Sequence, residues 1–309
     1  MKAVFLGTPE FAVATLERML DAGINVAAVV TQPDRPQGRK QEMIPSPVKA
    51  AALRHCLPVY QPERIRRPEA LEHLKAIGPD VMVVVGYGQI IPQSVIDLAP
   101  LGIVNVHASV LPELRGAAPI QWAVARGFAK TGVTTMCIDA GLDTGDVVDV
   151  WETEIGPEET APELSVRLAA AGADILLKTL RSLEAGTATK IPQDNAKATL
   201  APILSKDDGR INWLKPAKEI HNQVRGLLPW PGAHTLFRGQ ALHIWRARLT
   251  DRRWDLAPGS LIREHGLFAV GGDGAALELL EVQAEGRKRM AADVFANGSR
   301  LVEAEQLGG

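Results

Sequence analysis

Cysteine is scarce in this 309-residue chain. Cys56 and Cys137 are the only two, too few for a disulfide framework or a cysteine-based zinc site. Long apolar runs are missing too: no stretch approaches the ~18 consecutive apolar residues that argue for a membrane-spanning helix. The apolar start, Met1–Gly7, passes directly into Thr8-Pro9-Glu10, without the longer apolar segment and small-residue cleavage site of a signal peptide. A cytoplasmic, soluble protein is therefore expected. Neither glycine-rich phosphate signature occurs. The first turn, Gly7-Thr8-Pro9-Glu10, lacks the G-x-G-x-x-G pattern that lets a backbone approach a pyrophosphate, and no G-x-x-x-x-G-K-[ST] follows. A dinucleotide dehydrogenase or a nucleoside triphosphatase is disfavoured on that ground. Strong positive charge is also absent, the formal net charge being −2. Residues 205–309 carry 15 basic against 13 acidic side chains, and residues 1–204 carry 19 against 23. A strong nucleic-acid binder is usually far more basic, so nucleic acid is permitted here but not demanded.

What is present is ordinary for a globular chain: 46% hydrophobic and 23% charged residues, with 28 glycines and 21 prolines. Collagen-like, coiled-coil and broadly disordered classes are excluded, and there is no internal repeat or low-complexity tract. The length exceeds what one hydrophobic core usually serves, which favours two domains. In the first ~150 residues short apolar runs (Lys2–Leu6, Val26–Val30, Asp80–Val85, Ile103–Val106) alternate with helical spacing such as Glu10–Leu20. Strands separated by helices pair in parallel through right-handed crossovers, giving a doubly wound α/β sheet. Two segments break this rhythm. Thr31–Pro47 holds four prolines, one glycine and three basic residues with no apolar periodicity, and reads as a long functional loop. Gly186–Ser205, after a long helix from about Ala161 to Leu183, reads as an interdomain linker. Residues 1–185 are thus the α/β domain, 186–205 the linker and 206–309 a second domain. There, Ile203–Trp213, His234–Phe237, Ala241–Leu249, Gly259–Arg263, Leu267–Gly271, Ala276–Val282 and Asp293–Gly298 read as short strands, with one helix at Pro216–Leu227. That inventory suits a small closed barrel of the oligonucleotide-binding type.

Two clusters carry candidate chemistry. Asn105 and His107 are two apart at the end of an apolar strand, so their side chains share one sheet face, and open α/β sheets bind ligands at such strand ends. An amide beside an imidazole can stabilise an oxyanion and move a proton. A buried histidine satisfied by a backbone carbonyl, with Asn105 capping the strand, explains the same pair. Asp139-Ala140-Gly141-Leu142-Asp143-Thr144-Gly145-Asp146 follows a β-like run at Gly132–Ile138. Asp143, flanked by Gly141 and Gly145, is the candidate carboxylate, with a plain Gly/Asp hairpin turn as the alternative. EF-hand spacing and its terminal Glu are missing, no metal is expected, and Cys137 reads as a buried strand side chain.

Taken in order, Asn105-x-His107, Ser109-Val110-Leu111-Pro112, Arg115-Gly116 and Gly141-Leu142-Asp143-Thr144-Gly145 resemble the folate-dependent formyltransferases. Within that family the similarity is to the branch acting on methionyl-tRNA, and it extends along almost the whole chain. Val4–Ala12, Thr31–Pro36, Pro45–Lys49, Arg115–Gln121 and Leu228–Ala233 carry it. The resemblance implies a Rossmann-like formyltransferase domain with a mostly parallel sheet, followed by a small OB-like β-barrel. It implies 10-formyltetrahydrofolate as donor and initiator methionyl-tRNA as acceptor, with Asn105, His107 and Asp143 as the catalytic constellation. Ser109, Val110, Leu111 and Pro112, with Gly86, Tyr87, Gly88, Gln89 and Ile90, would line the folate pocket. Gly86 and Gly88 also permit a backbone to pack against a flat ring, while Tyr87 reads equally as an ordinary turn aromatic. Arg39 stands where the family's insertion carries an arginine for the acceptor arm, with Arg35 and Lys40 secondary. Arg246, Arg248, Arg287, Lys288 and Arg289 are the candidates for phosphate contact on the barrel.

The chain departs from the family at Glu113-Leu114, where a basic residue and an aromatic are frequent, and at Gln41-Glu42, where lysine is more common. Both changes lower positive potential near the acceptor end. Two other functions fit less well. A formyltransferase for a small amine, a glycinamide ribonucleotide or an amino-sugar nucleotide, needs neither the insertion nor the barrel. A non-catalytic RNA-binding module would depend chiefly on phosphates, against the near-neutral charge. The absence of a long apolar stripe on any predicted helix favours a monomer.

Overall fold

The computed structural model describes residues 1–37, 42–302 and 305–308. The chain divides into two compact units: Met1–Ala117, Thr131–Thr153 and Ser165–Pro202 form the first, and Ala118–Lys130, Glu154–Leu164 and Ile203–Gly309 the second.

In the first unit the chain runs β1 (Lys2–Gly7), α1 (Glu10–Asp21) and β2 (Asn25–Val30), then a short antiparallel pair, β3 (Arg35–Gln37) and β4 (Glu42–Ile44). It continues through α2 (Pro47–Arg54), β5 (Val59–Tyr60), α3 (Pro68–Ile77), β6 (Val81–Val85), α4 (Gln93–Ile96), β7 (Ile103–His107) and β8 (Arg115–Gly116). After α5 (Pro119–Ala125), which belongs to the second unit, come β9 (Lys130–Cys137), β10 (Val147–Glu154), α6 (Ala161–Glu184) and β11 (Leu200–Ala201). Seven strands form one sheet in the order β10-β9-β7-β6-β1-β2-β5. The β1–β2, β1–β6, β2–β5 and β6–β7 pairs are parallel, and β7–β9 is antiparallel. Every residue of β6 and β7 is buried: β6 is the unbroken apolar run that a strand covered on both faces requires, and β7 is apolar but for Asn105 and His107. The chain moves outward from β1 to β2 and β5, then returns to β6 on the other side of β1. Strand order therefore reverses between β1 and β6, the place where open α/β sheets leave a crevice beyond the strand ends.

The second unit is an antiparallel barrel. Its strands are β12 (Ala233–Phe237), β13 (Gln240–Arg253), β14 (Leu261–Arg263), β15 (Leu267–Val270), β16 (Ala275–Ala284) and β17 (Met290–Ala291). They run β12-β13-β16-β15-β14, with β17 also on β16. The edges at β12 and β14 are joined by the last residues: Leu307 bridges Phe237, Gln306 bridges Ser260, and Leu261 N–H donates to the Glu305 carbonyl at 2.7 Å. The interior holds Trp213, Ile244, Leu277, Leu279, Val282 and Leu307 beneath α7 (Ala217–Gly226) and α8 (Ala292–Ser299).

Four expectations change. The Thr31–Pro47 loop contains the β3–β4 pair; of its four prolines only Pro36 lies in the pair, on a two-stranded ribbon in which each strand is an edge. Its base is pinned by Asp34, which accepts from Lys49 and, at 2.8 Å, from Gln61; these bonds hold the Asp34 carboxyl below its usual range. Asp293–Gly298 is helix α8, because Ala292, Phe295 and Ala296 bury at helical spacing that a six-residue window conceals. Ile203–Trp213 forms no extended strand; it contains a 3₁₀ turn at Asp207–Gly209 and a single bridge from Arg210 to His234. The supposed linker is structured up to Pro202 as part of the first unit. Ile191 bridges Val147, and β11 pairs with β8 so closely that a Cβ on Gly116 (φ +123°) would sit 2.6 Å from the Ala201 carbonyl oxygen. Proline and polar residues there signal the absence of long elements, not the absence of contacts.

Candidate active site

Asn105 and His107 lie at the C-terminal end of β7, 8% and 6% exposed. Val106 between them faces the opposite way, toward α6 at Gly172. β9 runs antiparallel past His107 and ends beside Val104, so the chain must double back to bring Asp143 to the same face. Tight geometry does this. Asp143 has φ +52°, the left-handed region that Asp tolerates better than most residues, and the Asp146 carbonyl accepts from Cys137 N–H at 2.9 Å. A Cβ on Gly145 would meet the Cys137 carbonyl oxygen at 1.8 Å, so only glycine fits the return. Cys137 itself ends β9 half-buried.

The three side chains converge on the Asp143 carboxylate. Asn105 Nδ2 donates to its Oδ1 at 3.4 Å, Gly116 N–H donates to its Oδ2 at 2.9 Å, and His107 Nδ1 stands 3.7 Å from Oδ2. The His107–Asp143 distance allows an ion pair with a protonated ring but is long for a direct hydrogen bond. The firm hold on the ring is instead the Leu114 carbonyl, 3.0 Å from Nε2. A carbonyl only accepts, so Nε2 carries a proton and Nδ1 is the nitrogen left for chemistry. Leu114 can aim its carbonyl there because its own φ is +58° and its N–H is anchored at 2.8 Å on Thr199 Oγ1. Sequence reasoning missed both Leu114 and Thr199. A backbone carbonyl leaves no trace in residue identity, and Thr199 sat in the segment read as a linker.

The loops expected to line a folate pocket leave the C-terminal ends of two adjacent parallel strands, β6 and β7, on the return side of the reversal point. Gly86 and Gly88 have φ +57° and +83°. The Tyr87 ring is buried in the core among Leu6, Ile65 and Val95, its hydroxyl has no hydrogen-bond partner among the described residues, and burial pushes the phenol up. Tyr87 thus offers a loop only its backbone, and its carbonyl accepts from Thr8 and Gln32, both at 3.1 Å. Gln89 is spent on structure, accepting from Ile65 N–H at 2.7 Å, whereas Ile90 is 89% exposed. Ser109 is buried and donates to the Glu113 carbonyl at 2.5 Å; Thr134 Oγ1 ties Ser109 to Leu111, and Leu111 packs with Met136 and Val147. Val110 and Pro112 are half-buried on the same turn.

Arg35 is exposed at the start of β3, while Arg39 and Lys40 lie outside the described residues. On the barrel, Arg246 stands opposite Glu281 in the β13–β16 ladder, and Arg248 bonds the Glu278 carboxylate at 3.0 Å, so the Arg248 charge is paired. Arg287 and Lys288 are exposed beyond β16, and Arg289 stacks its guanidinium 3.4 Å from the Trp245 ring. Among the described residues, no group of three or more His, Cys, Asp or Glu is placed to hold a metal ion, and no helix is long and apolar enough to cross a membrane.

Comparison with known proteins concerns the family and the fold. The family model described as formyl transferase matches residues 1–180, and that of the formyl transferase C-terminal domain matches residues 203–300. The methionyl-tRNA formyltransferase of Solibacter usitatus is 63% identical over 308 residues, covering 100% of this chain and 99% of its own. That of Koribacter versatilis is 54% identical over 310 residues, with the same coverage. Among solved structures, a sugar 3N-formyl transferase determined with dTDP and 5-N-formyl-THF superposes with a TM-score of 0.69 at 19% identity, covering 93% of this chain and 99% of that one. At that identity the likeness concerns the fold alone.

Proposed function

This chain belongs to the formyl transferase family, carrying its N-terminal and C-terminal domains in order, and from that premise we propose how it works. It transfers the formyl group of 10-formyltetrahydrofolate to the α-amino group of methionine on initiator methionyl-tRNA, for translation initiation. The acceptor follows from the full-length relatives of that name. The chemistry rests on one observation: at a strand end, an amide nitrogen and an imidazole nitrogen each stand within 3.7 Å of one carboxylate that comes from a distant segment.

The residues present suit a flat folate ring. Positive-φ glycines flatten the β6 loop, and Ile90 is apolar surface left open beside it. The donor supplies an acyl carbon on N10 for the amine to attack. Asn105 Nδ2 and a protonated His107 Nδ1 donate to the oxyanion that develops there, which a buried site makes worth far more than in water. With Nε2 committed to Leu114, the ring has one working nitrogen and one orientation. Asp143 accepts the amine proton, directly or through a water, and returns it toward N10. Gly116 N–H keeps one carboxylate oxygen in place while this happens.

For tRNA, Arg39, with Arg35 and Lys40, serves the acceptor arm, and Arg287, Lys288 and the Trp245-stacked Arg289 offer phosphate contacts on the barrel. The enzyme works as a monomer in the cytoplasm. Arg39→Ala is expected to raise KM for tRNA about tenfold, the worth of one charge-assisted contact, with kcat and folate KM nearly unchanged. Steady-state kinetics with each substrate varied checks this, and an unchanged tRNA KM removes Arg39 from the interface.

The function is tested with formyl-labelled donor and three acceptors: methionyl-tRNA, glycinamide ribonucleotide and a dTDP-amino sugar. Label is expected on methionyl-tRNA alone. Transfer to a small amine in its place would overturn the acceptor assignment.

A further inference from the structure

We propose that Gln193 is a positioning residue for this transfer, fixing the backbone from which Asp143 projects; the inference rests on the role given to Asp143 above. Gln193 belongs to the segment whose composition reads as a linker, and it has no place in the family motifs quoted earlier. In the fold its side-chain amide reaches the turn that carries the carboxylate. Nε2 donates to two carbonyls of that turn, Asp143 at 2.9 Å and Gly145 at 2.7 Å. Those carbonyls flank the left-handed Asp143 and the glycine that makes the return possible. A left-handed residue persists only when its surroundings hold it there, and one amide clamping both sides of the bend does so.

The other end of the amide is held as firmly. Oε1 accepts from Arg115 Nε at 3.1 Å and Nη2 at 2.7 Å, and Arg115 Nη2 also donates to Asn195 Oδ1 at 2.8 Å. Arg115 is 6% exposed, and among the described residues no carboxylate pairs with it. A buried cation satisfied by neutral amides polarises them, so the Gln193 N–H groups become stronger donors to the turn. Arg115 is bonded in sequence to Gly116, whose N–H holds the Asp143 carboxylate itself at 2.9 Å. One short strand, pinned by β11, therefore locates Asp143 twice. Gly116 holds the reacting oxygens directly, and Arg115 holds the main chain behind them through Gln193.

Gln193→Ala and Gln193→Glu separate the two halves of the contact. Alanine removes both, whereas glutamate keeps the acceptor for Arg115 and sets a carboxylate against two carbonyl oxygens. Single-turnover formyl transfer is expected to slow roughly 10- to 50-fold in each, the effect of a small misplacement of a reacting group, with KM for folate and tRNA within about twofold. Introduced into Asp143→Asn, the same substitutions should slow the residual rate by less than about twofold, because residues acting as a unit are non-additive. Thermal melting of every variant accompanies the kinetics. Parent-like rates in both Gln193 variants overturn the proposal. So does an equal loss on the Asp143→Asn background, which means damage not routed through Asp143. If Asp143→Asn alone turns over at the parent rate, the proposed role of Asp143 fails and the inference falls with it. An impaired Asp143→Asn beside a parent-like Gln193→Ala refutes only the positioning role.

Discussion

His107→Ala is expected to reduce the rate of formyl transfer by about a thousandfold or more while leaving tRNA binding nearly intact. The imidazole is the one group in the site able to become a cation beside the developing oxyanion, and no neighbouring side chain replaces its Nδ1. Its Nε2 is held by the Leu114 carbonyl, and the ring is nearly inaccessible to solvent. Truncation therefore also leaves a buried carbonyl without its donor, at a cost of about 1–3 kcal/mol of stability. Melting curves separate the two effects, because a stability loss of that size lowers Tm without disturbing the rate of the folded enzyme below the transition. Rapid-quench transfer from labelled donor and filter binding of methionyl-tRNA are the decisive measurements. Turnover close to the parent rate would remove His107 from the chemistry.

Asp143→Asn should lower kcat roughly 10²- to 10³-fold with little change in either KM, the pattern of an interaction made mainly in the transition state. Asparagine is the informative replacement. It tolerates the left-handed backbone at φ +52°, and its side-chain oxygen still accepts from Gly116 N–H. The turn keeps its shape while the site loses the negative charge and the proton acceptor. Alanine would remove the chemistry and strain the backbone together. A KM rise with unchanged kcat in Asp143→Asn would assign the carboxylate to binding alone.

Much of this was readable before any coordinates. The parallel strands announce themselves because both faces are covered, so Val81–Val85 carries no polar alternation to confuse the period. Asn105 and His107 were legible as a pair because period-two spacing is a property of the strand itself. Asp143 was legible because the glycines beside it mark a bend. Choosing between a catalytic and a structural histidine was beyond the residues; in the fold Nε2 is satisfied by a carbonyl, as a structural histidine would be, while Nδ1 faces a carboxylate. What stayed hidden was support built from main chain or from distant amides. The Leu114 carbonyl, the Gly116 N–H and the Gln193 side chain act through positions set by long-range folding, and Gln193 lies 50 residues beyond the aspartate it bonds. Composition also misjudged residues 186–202, since a proline-rich stretch forms few regular elements whether it is packed or free. Helix α8 was misread as a strand because six residues contain too few turns to separate the two periods.

The barrel's seam has a consequence for how this protein comes into being. Its first strand, beginning at Ala233, waits some seventy residues for the Leu307 partner that seals it. Until those last residues arrive, the β14 edge and the Phe237 end of β12 stand ready to recruit any passing β-segment. A ribosome that stalls just short of Glu305 would release a molecule with a finished first unit and an adhesive second one, and quality control rather than catalysis would decide its fate.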